Sequence, residues 1–225
     1  PWDEGGPVRI ADARTYVVGN PPPGDGGRYF ILVRLVTDDG IEGLGECYVA
    51  TFGPHLVARM VEEVCARHVI GADPTRVEAL WRDVYARGYG ARPDVTLVGV
   101  LSGIEMALWD ILGKAVGLPV HALLGGRVRE RVRTYTYVYA EPGDEEDVYA
   151  DPDLAAERAA AYAARGHTAL KFDPAGRYTT FDPRQPGGPE LERIRRYVAA
   201  VRHATGPECD LLFGTHGQFT PSGAI

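Results

Sequence analysis

The chain has 225 residues and a mass of 24.4 kDa, with 45% hydrophobic and 24% charged residues, close to the averages for a soluble globular protein. Acidic side chains number 31 against 24 basic ones, for a formal charge of −7 and a pI of about 5.4, which argues against a nucleic-acid binder with its basic stripe. No run approaches the roughly 18 consecutive apolar residues of a membrane span, and the acidic, glycine-rich opening Pro1-Trp2-Asp3-Glu4-Gly5-Gly6 is no signal peptide. A cytoplasmic protein is expected.

The first 50 residues read as strands. Val8 to Val18 is β-rich, and Tyr29 to Thr37 is a dense apolar run. Asp38-Asp39-Gly40 then leads into Ile41 to Tyr48, and an Asp-Gly turn between two such runs predicts a hairpin. Between the first two strands, Gly19 to Gly27 carries three prolines and four glycines and fits no regular element. It is either a plain surface connection or a mobile lid.

Helices follow. Apolar residues recur at helical spacing after Pro54 (Leu56, Val57, Met60, Val61, Val64) and again after Asp73-Pro74 (Val77, Leu80, Trp81, Val84), with Pro74 suited to a first helical position. A third helix runs from near Thr96 to Val116 and stops at Gly117. These stripes are packing faces. After Gly125-Gly126 the rhythm changes. Strands at Val132–Tyr139, Thr168–Asp173 and Asp210–Phe213 alternate with helices at Asp153–Arg165 and Pro189–Thr205. Such alternation predicts βαβ units and a parallel sheet. Three units are too few to close a barrel of eight, so the sheet is either small and open or the start of a longer barrel. Position 1 is not Met, and a helix is about to begin at Pro221, so both ends read as cut.

Parity locates the candidate chemistry, because successive strand side chains point to opposite faces. Leu170 and Phe172 share one face, suited to packing under helices; Lys171 and Asp173 share the other. On the third strand Leu211 and Phe213 face one way, and Leu212, Gly214 and His216 the other. In parallel α/β folds the carboxyl ends of the strands form the active face, so Lys171, Asp173 and His216 converge there. The plainer alternative is that Lys171 and Asp173 are a solvated charge pair and His216 a loop residue. Tyr135, Tyr137 and Tyr139 read as strand packing, although Tyr139 or Glu141 could reach a site mouth. No GxGxxG, Walker, GxSxG or HExxH pattern occurs. Cys47, Cys65 and Cys209 stand apart without a CxxC pair, against a disulfide framework or a zinc site.

The segment Ser102-Gly103-Ile104-Glu105-Met106-Ala107-Leu108-Trp109-Asp110-Ile111-Leu112-Gly113-Lys114, with Gly117-Leu118-Pro119-Val120-His121-Ala122-Leu123-Leu124-Gly125-Gly126 and the Gly43-Leu44-Gly45-Glu46 hairpin, resembles the enolase superfamily. The branch it resembles is that of mandelate racemase and muconate lactonizing enzyme. The resemblance implies an α/β chain: an enolase-like α+β capping domain over residues 1–126, then the first strands of a (β/α)8-type barrel over 127–225. It also implies Mg²⁺, abstraction of a proton α to a carboxylate, and an enediolate stabilised by the metal.

On that resemblance Lys171 matches the first lysine of the family's Lys-x-Lys, and Asp173 stands where the second would be. A racemase using a second-strand lysine base is therefore not expected. Gly214-Thr215-His216 stands where the family reads Asp-x-Asn or, in acid-sugar dehydratases, Asp-x-His. His216 matches the dehydratase histidine, and Gly214 replaces a metal-binding aspartate.

The function expected is dehydration of an acid sugar, a lyase reaction, with Lys171 on the substrate carboxylate and His216 as acid or base. An epimerase, racemase or cycloisomerase on the same intermediate is the first alternative. A homologue that binds sugar acids without turnover is the second. Pro22, Pro23, Tyr48 and Phe52 are expected in a substrate lid. Mg²⁺ is expected to bind weakly, with Asp173 or water in the position Gly214 vacates, and Gly214→Asp to tighten it. The expected partner is a small carboxylate or sugar acid, in a homo-oligomer, with no nucleic acid and no membrane.

Overall fold

Two compact units make up the chain, Pro1–Glu130 and Arg131–Ile225, each with its own hydrophobic core. The structure is a computed structural model describing residues 7–21, 27–48, 52–88, 90, 92–145, 147–176 and 183–225.

In the first unit β1 (Ile10–Gly19), β2 (Tyr29–Thr37) and β3 (Glu42–Cys47) form an antiparallel meander in the order β1-β2-β3. Alternation decides the buried face: Ile31, Val33 and Leu35 of β2 are all buried. The predicted Asp-Gly turn forms, with Gly40 at φ +90° and its N–H donating to Thr37 O at 3.0 Å.

Among the described residues the α-helices of this unit are α1 (Pro54–Val64), α2 (Val77–Arg87), α3 (Val95–Val116) and α4 (Val120–Leu123). Asp94 caps α3 by accepting from the Leu97 N–H at 3.0 Å, and Gly117, left-handed at φ +69°, ends it. By length and composition alone α3 could cross a membrane. Its Val100, Leu101, Ile104, Ala107, Leu108 and Ile111 are instead buried in the core of this unit.

Two features depart from expectation. Helix α1 runs on into a π-helical turn, Cys65–Val69. Helix α2 begins three residues after Pro74, because the Asp73 carboxylate accepts from the Thr75 N–H at 2.9 Å and holds that stretch in a turn.

The second unit contains β4 (Thr136–Tyr137), α5 (Pro152–Ala164), β5 (Ala169–Phe172), α6 (Gly188–Thr205), β6 (Asp210–Phe213) and the short α7 (Pro221–Ala224). The three strands are parallel, in the order β4-β5-β6. Strand β4 is far shorter than the Val132–Tyr139 run suggested; among the described residues it pairs with the four-residue β5 alone, over two residues. Leu170 and Phe172 pack with Ala155, Ala159, Tyr197 and Val201 of α5 and α6, so the helices cover the face that parity assigned them. The opposite face carries Lys171 and Asp173.

An ion-pair network holds the outer loop of this unit. The Arg158 guanidinium donates to both Asp144 oxygens, one bond measuring 2.9 Å, and pulls the Asp144 carboxyl from 3.8 down to about 2. A carboxyl whose folded pKa is depressed stabilises the fold above its unfolded value and loses that contribution as pH falls through the folded one. Asp144→Asn is therefore expected to destabilise the chain at neutral pH. The gap to the wild type should close between about pH 4 and about pH 2, read by thermal melts across that window.

Candidate active site

The carboxyl ends of β4, β5 and β6 carry the candidate site. Register sets Tyr137 beside Lys171, and Lys171 beside Leu212. The Gly214 N–H donates to Phe172 O at 2.9 Å, which carries the ladder one step past β6. A Cβ built on Gly214 would overlap Asp173 Oδ1 and stand 3.1 Å from Lys171 Cε. Lys171, Asp173 and Gly214 thus meet on one face, as parity predicted.

The predicted alternative of a solvated Lys171–Asp173 pair does not hold. Asp173 is buried, with 7% of its surface exposed, and its ion-pair contact among the described residues is His216, Nδ1 to Oδ1 at 3.4 Å. Lys171 turns to the tyrosines, its Nζ lying 4.9 Å from the Tyr137 ring centre and 5.7 Å from that of Tyr135. The Tyr137 side chain is the largest influence holding the Lys171 ammonium above its ordinary range, against the opposing effect of burial. Lys171 is accordingly held in its cationic form.

Asp173 sits where it does because its neighbours are fixed. The turn after β5 closes with the Gly176 N–H on Asp173 O at 3.0 Å, and Arg193 of α6 donates to Pro174 O at 3.0 Å. Burial raises the Asp173 carboxyl pKa, while His216 first and Lys171 second oppose the rise. Burial also raises the Tyr149 hydroxyl to about 12, with the Asp173 charge as the second cause. Asp173 Oδ1 is buried without a hydrogen-bond partner.

His216 occupies the first central position of a tight turn. The Gln218 N–H donates to Thr215 O at 2.9 Å, and His216 and Gly217 have φ of +49° and +70°, the pattern of a type I′ turn. Among the described residues His216 is the one non-glycine with positive φ, a conformation that costs about 1 kcal/mol or more and gathers at functional sites. The turn is held from behind. Gln218 is buried, its carbonyl accepts from the Arg184 N–H at 2.9 Å, and its side-chain oxygen accepts from Arg184 Nη1 at 3.3 Å.

Sequence reasoning missed the tyrosines. Tyr135 and Tyr137 are not mere strand packing: they face the Lys171 ammonium. Parity could have found Tyr137, which pairs with Lys171 across β4 and β5; Tyr135 lies two residues earlier, just before β4. Glu141 does not reach the site; it pairs with Arg165 at 3.1 Å and Arg158 at 3.8 Å. Of the expected lid, Pro22 and Pro23 lie outside the described residues. Tyr48 and Phe52 are 78% and 41% exposed.

The described residues do not by themselves make an Mg²⁺ site. This ion takes about six oxygen ligands in a near-octahedral shell, whereas among the described residues these strand ends offer one carboxylate, Asp173, facing an imidazole and lying near an ammonium. Among the described residues no group of three His, Cys, Asp or Glu side chains is placed to hold a metal. The space Gly214 leaves is filled by Asp173, so Gly214→Asp would force that carboxylate aside rather than simply add a ligand.

The chain is thus an α+β unit followed by parallel β/α units, with Lys171, Asp173 and His216 gathered at the strand ends. Residues 26–125 match the family "Mandelate racemase / muconate lactonizing enzyme, N-terminal domain". A crystal structure of mandelate racemase/muconate lactonizing enzyme from Jannaschia sp. CCS1 superposes with a TM-score of 0.88 at 47% identity, over 96% of this chain and 56% of that one. D-gluconate dehydratase of Thermoproteus tenax is 36% identical over 88% of this chain and 37% of its own length. D-xylonate dehydratase of Haloferax volcanii is 31% identical over 96% and 50%. Residues 26–125 carry the N-terminal domain of the mandelate racemase/muconate lactonizing enzyme family, and the chain spans about half the length of these relatives or less.

Proposed function

We propose that the protein is an acid-sugar dehydratase, a hydro-lyase that removes the proton α to a carboxylate and expels a hydroxyl. The observation that carries this reading is the grouping of a charged lysine with an Asp173-backed histidine at the strand ends. The relatives' names support it. Lys171 is placed to meet the substrate carboxylate, and its ammonium offsets the negative charge that grows as the α-proton leaves. His216 exchanges protons with the substrate, taking the α-proton or protonating the departing hydroxyl. The family's Mg²⁺ enters no step derived from these residues. The protein is proposed to work in the cytoplasm as a homo-oligomer.

A panel of aldonic and aldaric acids incubated with the full-length protein tests this reading. Release of a 2-keto-3-deoxy acid supports dehydration. An epimer or lactone without keto acid would assign the isomerase alternative, and ligand-induced thermal shifts without product would assign binding alone. On the substrate that the panel identifies, Lys171→Met is expected to lower kcat/KM about 100-fold, the value of one charge-assisted hydrogen bond or a little more. The loss should be divided between a raised KM, from the lost hold on the carboxylate, and a lowered kcat, from the charge left uncompensated as the proton leaves, measured by initial rates.

A further inference from the structure

We propose that Asp173 is a positioning residue: it fixes the ring tautomer of His216, with the proton on Nδ1, and leaves Nε2 as the atom that exchanges protons. Glycine stands at 214 to admit this carboxylate. The inference rests on the reading of His216 as the acid–base group.

Three independent features converge on it. The first is an unmet demand. Asp173 Oδ1 is buried and lacks a hydrogen bond, and a buried acceptor without a donor costs about 1–3 kcal/mol. His216 Nδ1 stands 3.4 Å away, and a small rotation of the ring makes it the donor. The neutral tautomer with hydrogen on Nδ1 meets the demand; the other would set a lone pair against a carboxylate. The identity of the protonated nitrogen follows from the partner of the other one.

The second feature is the backbone. His216 is held left-handed in its turn, at φ +49°, and that turn is tied through Gln218 to Arg184. Strain of this kind persists only where surrounding structure imposes it, and here it brings the imidazole over Asp173.

The third is the space above Gly214. Any β-carbon there would collide with Asp173 Oδ1. The aspartate on the β5 end and the glycine on the β6 end are thus one device. The carboxylate that faces His216 comes from the neighbouring strand, and the strand bearing His216 gives up its own side chain two residues earlier to make room.

The proton balance follows. Nδ1–H stays on Asp173 throughout. Nε2 accepts the substrate α-proton as the C–H electron pair moves into the enediolate, and the imidazolium so formed faces the ionised Asp173. Nε2–H then passes to the departing hydroxyl, which leaves as water when the C–O bond breaks, and the imidazole is neutral again.

Long-range ¹H–¹⁵N correlation spectra of the chain report the tautomer directly, with the His216 signals assigned by their loss in His216→Asn. The expected result is a neutral His216 protonated mainly on Nδ1. Asp173→Ala, which removes the acceptor, and Gly214→Ala, which pushes it aside, should both shift the balance to Nε2. On a turned-over acid sugar, Asp173→Ala is expected to lower kcat about 10- to 100-fold, in the range of lost orienting partners, with KM little changed. A wild-type His216 protonated mainly on Nε2, or a balance indifferent to both substitutions, would overturn the proposal. Because the tautomer is read without turnover, an Nδ1-protonated His216 in a protein that dehydrates nothing would refute the functional reading and leave the positioning intact.

Discussion

Replacing His216 by asparagine is expected to lower kcat for acid-sugar dehydration by roughly 100- to 10,000-fold, the usual span for a lost acid–base group. Asparagine tolerates the left-handed backbone at this turn, where φ is +49°, so the substitution tests chemistry rather than folding. It keeps a short polar side chain beside Asp173 but cannot exchange a proton. KM should move little, because the proposed hold on the substrate carboxylate belongs to Lys171. Steady-state rates and a thermal melt on the same preparation check both halves. A variant with unchanged melting and nearly full kcat would remove His216 from the reaction.

The largest stability effect is expected at Gly45, where function is not involved. Strand β3 approaches α3 so closely that a Cβ on Gly45 would overlap the Gly103 carbonyl, and one on Gly43 would overlap that of Ala107. Both obstacles are helix backbone, which cannot swing aside as a side-chain tip can. Gly45→Ala is therefore expected to cost about 3 kcal/mol or more, at or beyond the upper end of ordinary overpacking. That corresponds to a fall in melting midpoint of roughly 10 °C. Gly19→Ala, at a strand end with open space around it, serves as the control and should melt within a degree or two of the wild type, since surface changes usually stay within about 0.5 kcal/mol.

These two cases mark what was legible in the sequence. The βαβ alternation, the Asp38-Asp39-Gly40 turn and the opposed faces of Lys171 and Leu170 were all readable, because local periodicity and turn chemistry govern them. The reason for Gly43, Gly45 and Gly103 was not, since it lies in the approach of two elements distant in the chain. The same holds at the site. Parity brought Lys171, Asp173 and His216 to one end of the sheet but could not pair them. It left Lys171 beside Asp173, whereas burial took the carboxylate to His216 and the tyrosines took the ammonium. Parity placed His216 at the strand ends, but its aim is set by a turn with two positive φ values, and only Gly217 hinted at that. The short β4 and the π-helical turn after α1 likewise depend on neighbours rather than on their own residues.

The reading as a whole turns on whether His216 moves a proton during loss of a hydroxyl. The most direct measurement follows an acid-sugar substrate by NMR in D₂O, with the wild-type full-length protein and with His216→Asn. Dehydration gives an enol that picks up a solvent proton as it collapses to the keto acid. The wild type is therefore predicted to release a 2-keto-3-deoxy acid carrying deuterium at C3, and the variant to release almost none over the same time. Keto acid formed equally fast by both proteins, or deuterium exchanged at Cα with the hydroxyl retained, would contradict the account.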